Sequence, residues 1–112
     1  METRTEELLA EFRDLIPQYA EAKANLVYVE EFKKSKLAMC MNVAERDGCK
    51  TIASQEKEAR IHPDYLQVLD ALKEATNKEA RFRFLIKKVE YEIEIWRSQQ
   101  ANNRLERKAY GA

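Results

Sequence analysis

The sequence predicts an all-α fold, a long antiparallel helical hairpin. Two apolar-periodic stretches of about 45 residues flank one breaker region, Gly48 to Pro63, in a chain of 112 residues with two glycines and two prolines. Helix punctuation is therefore concentrated at one place, and the chain has a single point at which to reverse. A length of 112 residues makes one domain with a modest core. The high charged fraction, 36%, with an ordinary apolar fraction favours a solvated helical protein over disorder.

The first helix is predicted from about Thr5 to Asp47. Thr3 and Glu6 have capping-box spacing, and the early acids suit the positive end of the helix dipole. Leu8, Phe12, Leu15, Tyr19, Ala22, Leu26 and Val29 recur at alternating spacings of four and three, which places them on one face. Cys40 and Val43 continue that register, with Lys33 and Lys36 interrupting it. Pro17 removes one hydrogen bond, so a kink is expected there, or a new helix after a short N-terminal segment. Gly48 suits a left-handed C-cap. A short helix from Ala53 to Arg60, with Ser54 as its cap, is expected across the tip at 48–62. His62-Pro63-Asp64 then starts the last helix, because proline is favoured at the first helical position.

The last helix is predicted from Pro63 to about Lys108. Its stripe is Val68, Ala71 or Leu72, Ala75, Phe82, Leu85 or Ile86, Val89, Ile93 and Trp96. The segment from Arg81 to Ile95 alternates in the manner of a β-hairpin. Lys87-Lys88 lacks the glycine or asparagine that a two-residue turn requires, and both flanks are rich in helix formers. Continuous helix is the expectation. Ala109 to Ala112 is expected to fray.

Both helices carry a second apolar seam. Phe84, Tyr91 and Ile95 lie off the first stripe of the last helix. Leu9, Ile16, Ala20 and Val27, then Leu37, Met41 and Ala44, do so in the first. A helix apolar on two faces packs against two neighbours. Homodimerisation into a four-helix bundle through Phe84, Tyr91, Ile95, Leu9, Ile16 and Val27 is the leading expectation. The alternative is a monomer whose N-terminal segment before Pro17 folds back over the seam.

The net charge is zero but unevenly spread. Residues 1–31 hold eight acids, Glu2, Glu6, Glu7, Glu11, Asp14, Glu21, Glu30 and Glu31, against Arg4, Arg13 and Lys23. Residues 97–112 hold Arg97, Arg104, Arg107 and Lys108 against Glu106. In an antiparallel hairpin these ends lie together, so internal pairing is expected, each exposed pair contributing under ~1 kcal/mol.

No constellation for catalysis, metal or cofactor binding stands out, and none is expected. His62 is the one histidine; beside Pro63 it suits a role at the helix start and lacks a second ligand at helical spacing. Glu90, Glu92 and Glu94 fan around a helix and do not converge. There is no glycine-rich loop to cradle phosphate. Cys40 and Cys49 lie in no metal motif and are expected to be reduced thiols, Cys40 buried and Cys49 in the turn, where oxidation could cross-link two chains. The first residues lack a basic region followed by an apolar run, and no stretch reaches ~18 apolar residues, so a cytoplasmic protein that does not enter membranes is expected.

Binding is the remaining class. Lys78, Arg81, Arg83, Lys87 and Lys88 interleave with Phe82 and Phe84, and Arg97, Arg104 and Lys108 share a helical face. Basic residues beside aromatics suit nucleic acid, but the zero net charge argues against a dedicated binder. Gln99, Gln100, Asn102 and Asn103 add an uncharged polar patch, and Trp96 is expected to pack near Leu15. The partner-binding set is therefore Arg81, Arg83, Lys87, Arg97, Gln100, Asn103, Arg104 and Lys108.

Trp96-Arg97 and Ala101-Asn102-Asn103-Arg104, after a last helix that begins near Tyr65, resemble small helical proteins encoded by tailed phages and prophages. The resemblance covers roughly residues 60–104. It implies an accessory protein that acts by binding in the host cytoplasm, on recombination, replication or host-defence machinery, and it transfers no site residue. The sequence thus predicts a non-enzymatic protein-interaction module, with a nucleic-acid-binding accessory protein or a structural assembly component as alternatives.

Overall fold

A computed structural model describes residues 2–111, with the backbone alone for Glu2. It is a helical hairpin of three helices: α1 (Glu2–Arg46), α2 (Ile52–Arg60) and α3 (Pro63–Ala109). Among the described residues there is no strand, so the alternating segment 81–95 is helical. Helix formers on both sides, with no breaker between them, outweigh the local alternation.

Two boundaries depart from the sequence reading. The first helix begins at Glu2, which places Thr3 inside it, and Thr3 is not its N-cap. Met1 lies outside the described residues. The short helix is capped by Thr51 in place of Ser54. Thr51 Oγ1 accepts from the Ser54 amide at 3.1 Å, and Ser54 Oγ accepts from the Thr51 amide at 3.3 Å. Ser54 is thus the reciprocal member of the capping box.

Pro17 lies within α1, and the helix continues through it from Glu2 to Arg46. No N-terminal segment folds back, which removes the monomeric alternative built on one. Proline has no N–H to donate to Arg13, but the helix on either side is long enough to absorb one missing bond.

The turn after α1 is a Schellman motif. The Gly48 amide donates to Glu45 O at 3.1 Å and the Cys49 amide to Ala44 O at 3.0 Å. Gly48 has φ 112, a left-handed conformation that a side chain would strain. At the start of α3, the Asp64 amide donates to His62 Nδ1 at 3.1 Å, and the Leu66 amide to His62 O at 3.0 Å. The histidine satisfies one of the helix's orphan donors, the role its place before Pro63 suggested.

The chain divides into two compact units, Met1–Ala20 with Arg81–Ala112, and Glu21–Ala80. In the first, Leu8, Leu15 and Val89 are buried, with Phe12, Phe82, Leu85, Ile86 and Ile93 packed around them. These are the two predicted stripes meeting. In the second, Cys40, Ala59 and Tyr65 form the core, with Leu37, Met41 and Leu69 against it. Here α2 does what the hairpin alone could not. It covers the Leu37–Met41 part of the second seam, with Ala59 fully buried against Cys40 and Tyr65.

The charged ends pair differently from the expectation. In the first unit the ion pair between the long helices joins Arg4 of α1 to Glu92 of α3, the reverse polarity. Arg97 pairs with Glu94 of its own helix at 3.5 Å. Helix geometry favours such neighbours three residues apart over partners across a wide gap. Exposed pairs of this kind bias register weakly.

Cys40 is buried and Cys49 half-buried, both as free thiols. A thiol reagent is therefore expected to modify Cys49 in the native protein and Cys40 only on unfolding. Two thiols reacting at one fast rate in the absence of denaturant would contradict this burial.

Candidate interaction faces

At about 100° per residue, the side chains of α3 sort into flanks around Val89, the residue that faces the core. Glu92, Ile95 and Gln99 lie about 60–120° to one side of Val89. Arg83, Arg97, Arg104 and Lys108 lie about 60–120° to the other side. The Arg4–Glu92 contact identifies which flank of α1 adjoins the first group. Leu9 and Ile16 lie on the opposite flank of the Leu8–Leu15 stripe from Arg4, by the same rotation.

This sorting separates residues that the sequence grouped. Phe84, Tyr91 and Ile95 form one row on the outer side of α3, about 120–160° from Val89. They are 59%, 68% and 59% exposed. Leu9 and Ile16 are also exposed, but they border the Arg83–Arg97–Arg104 flank. The six seam positions of the sequence reading thus belong to different faces, and one helix cannot cover all of them. Val27, likewise exposed, lies in the second unit.

The basic set divides in the same way. Arg81 falls on the Glu92 flank and Lys87 on the outer side. Arg83, Arg97, Arg104 and Lys108 share the other flank. Arg83 covers the face of Phe84, its guanidinium carbon 4.8 Å from the ring centre, a cation–π arrangement. Phe82 is partly buried in the core, which makes it a packing residue. Arg104 Nε donates to Gln100 O at 3.4 Å, tying its base to its own helix. Asn103 is exposed and Gln100 half-buried.

Hollows mark the surface in both units. Arg4, Leu8, Glu92, Ile95, Trp96 and Gln99 line one of about 210 Å³ in the first unit. Trp96 therefore sits beside Leu8 and Arg4, about two turns of α1 before Leu15. Its indole N–H is buried and makes no hydrogen bond. The sequence reading placed Gln99 in the uncharged polar patch but did not bring it together with Arg4 and Glu92, since only the pairing of the helices does so. A second hollow, about 340 Å³, is lined by Asn103, Glu106, Arg107 and Tyr110. A third, about 290 Å³, lies in the second unit among Cys40, Val43, Ala44, Asp47, Cys49, Glu58 and His62. Despite that collection of donors, no group of three or more metal-ligating side chains forms among the described residues. Nor is any helix among them long and apolar enough to cross a membrane.

Comparison with protein-family models, curated proteins and solved structures gives no match. The faces of α3 must therefore be read from their own chemistry.

Proposed function

We propose that this chain is a non-enzymatic protein-interaction module whose binding surface is the part of α3 from Arg81 to Lys108. The carrying observation is the row Phe84, Tyr91 and Ile95, more than half exposed on a helix whose opposite face packs Val89 into the core. Large aromatic and aliphatic side chains held in water on a rigid helix are the composition of an interface core. The arginines on the adjoining flank supply the polar rim, and Arg is enriched at such sites. In this reading the protein works by occluding or scaffolding its partner. The Trp96-Arg97 and Ala101–Arg104 motif supports a phage-type accessory protein acting in the host cytoplasm.

A nucleic-acid-binding role is the second reading, supported by Arg83 over Phe84 on the flank shared with Arg97, Arg104 and Lys108. Both are tested with the full chain immobilised as bait in host lysate, beside an Arg97→Glu/Arg104→Glu variant. The protein reading expects a partner retained at moderate salt and lost with the variant. Capture profiles identical for the two baits would refute the rim assignment. The nucleic-acid reading expects a polarisation signal that falls steeply between 50 and 200 mM salt, by decades for six or more phosphate contacts. No signal at low salt would remove it.

A further inference from the structure

The outer row of α3 has a charge pattern that selects its own copy as an occupant. Phe84, Lys88, Tyr91 and Ile95 recur at spacings of four, three and four, a heptad seam on the face turned away from the core. Lys88 is the one charged member of that seam. In a parallel pair of α3 helices Lys88 would face Lys88 of the second copy, two like charges at the centre of the contact. In an antiparallel pair, Lys88 lies against Tyr91 of the other copy and Phe84 against Ile95. The lysine stem then packs on an aromatic face, and its ammonium gains a cation–π contact.

The flanking charges favour the same arrangement. Lys87 precedes the middle of the seam and Glu94 follows it, on the side of the seam away from Glu92. With the two helices opposed, Lys87 of each copy meets Glu94 of the other, and twofold symmetry makes the pair twice. A parallel arrangement would instead direct Lys87 towards Glu92 of the second copy. That carboxylate is half-covered between Arg4 and Lys88, its side chain 28% exposed, whereas Glu94, with Arg97 as its neighbour at 3.5 Å, keeps a side chain 65% exposed and open to a second cation. Lys87 and Glu94 are seven apart on one helix, too far to pair within their own chain.

We propose that two copies of this chain associate through antiparallel α3–α3 packing, with Phe84 against Ile95 and Lys88 against Tyr91 across the twofold axis. This deepens the reading of α3 as a binding face by naming a second copy as occupant of the outer row. A second copy on the outer row competes with any other partner of that row, while Arg97 and Arg104 on the adjoining flank lie outside the contact. A seam of four residues per copy makes a small interface, so the association is concentration-dependent.

Sedimentation equilibrium of the reduced 112-residue chain tests this, at concentrations up to roughly 1 mM, the weak end of specific association. The wild type is expected to rise towards twice 13.2 kDa. Tyr91→Lys, at a position 68% exposed and so harmless to the fold, is expected to weaken the dimer at least tenfold with an unchanged helical circular dichroism spectrum. Lys87→Glu and Glu94→Lys are each expected to weaken it several-fold, and the double reversal to return it to within about twofold of the wild type. A 13.2 kDa monomer at every concentration overturns the proposal. So does a dimer indifferent to Tyr91→Lys, or a double reversal no tighter than the single ones. The arginine-flank capture experiment is read separately, so loss of the dimer with retained capture refutes this inference and leaves the function standing.

Discussion

Val89→Asp is expected to unfold the unit built from the start of α1 and the end of α3. Val89 has no solvent exposure and sits between Leu8 and Leu15. The substitution loses the burial of an aliphatic side chain and places a carboxylate where only hydrocarbon surrounds it. An unpaired buried charge costs several kcal/mol, or the group takes up a proton and still lacks hydrogen-bond partners. Small domains have total stabilities of about 5–15 kcal/mol, so this change consumes a large share of that margin. The expected result is a large loss of helical ellipticity, or a urea midpoint shifted strongly downward. Val89→Ala sets the scale: two methyl groups and a small cavity correspond to about 2 kcal/mol. If Val89→Asp unfolded at the wild-type midpoint, the core assigned to Leu8, Leu15 and Val89 would be wrong.

The second large effect is expected at Tyr65. It is buried, 4% exposed, against Cys40 and Ala59, so it forms the floor on which α2 rests. Truncation to alanine removes an aromatic ring from a packed site, with a cost of about 3–5 kcal/mol. The loss should be felt first in α2. A nine-residue helix has little stability in water without tertiary contacts. Hydrogen exchange in Tyr65→Ala should therefore accelerate most across Ile52–Arg60, while amides near Val89 slow or hold. Tyr65→Phe keeps the ring and is expected to cost under about 1.5 kcal/mol. Uniform acceleration along the whole chain would refute the assignment of Tyr65 to the α2 platform.

The two predictions probe parts of the fold that were unequally legible. The stripes of α1 and α3 were visible because a period of 3.6 leaves a direct mark on residue order, and Leu8, Leu15, Val68, Ala75 and Val89 are all buried. Gly48 was equally plain, since a left-handed residue ending a helix calls for glycine. Tyr65 and Glu79 were not. Both are buried, yet neither stands out from the polar and aromatic residues that surround it in sequence. Their burial depends on which neighbour faces them, and helical spacing carries no such information. The Thr51–Ser54 choice was hidden for a related reason. Either residue can cap, and the geometry of the preceding turn selects between them.

The binding faces show the same division. Residue order alone identifies Phe84, Tyr91 and Ile95 as apolar side chains off the core stripe, and it identifies the arginines around them. It also determines the helix content and the single reversal at 48–62, because these follow from local chemistry. Arg81 and Arg97 part by rotation along α3 itself, whereas the grouping of Leu9 and Ile16 with the outer row depended on treating each helix alone. Tertiary structure decided that second question through contacts distant in sequence. The packing of Leu8 and Leu15 on Val89 sets how the two long helices are rotated in the first unit, the Arg4–Glu92 pair marks which flanks adjoin, and α2 covers one stretch of the second seam. Periodicity tells a helix which side is apolar; only the neighbour that packs against it determines which apolar side remains in water.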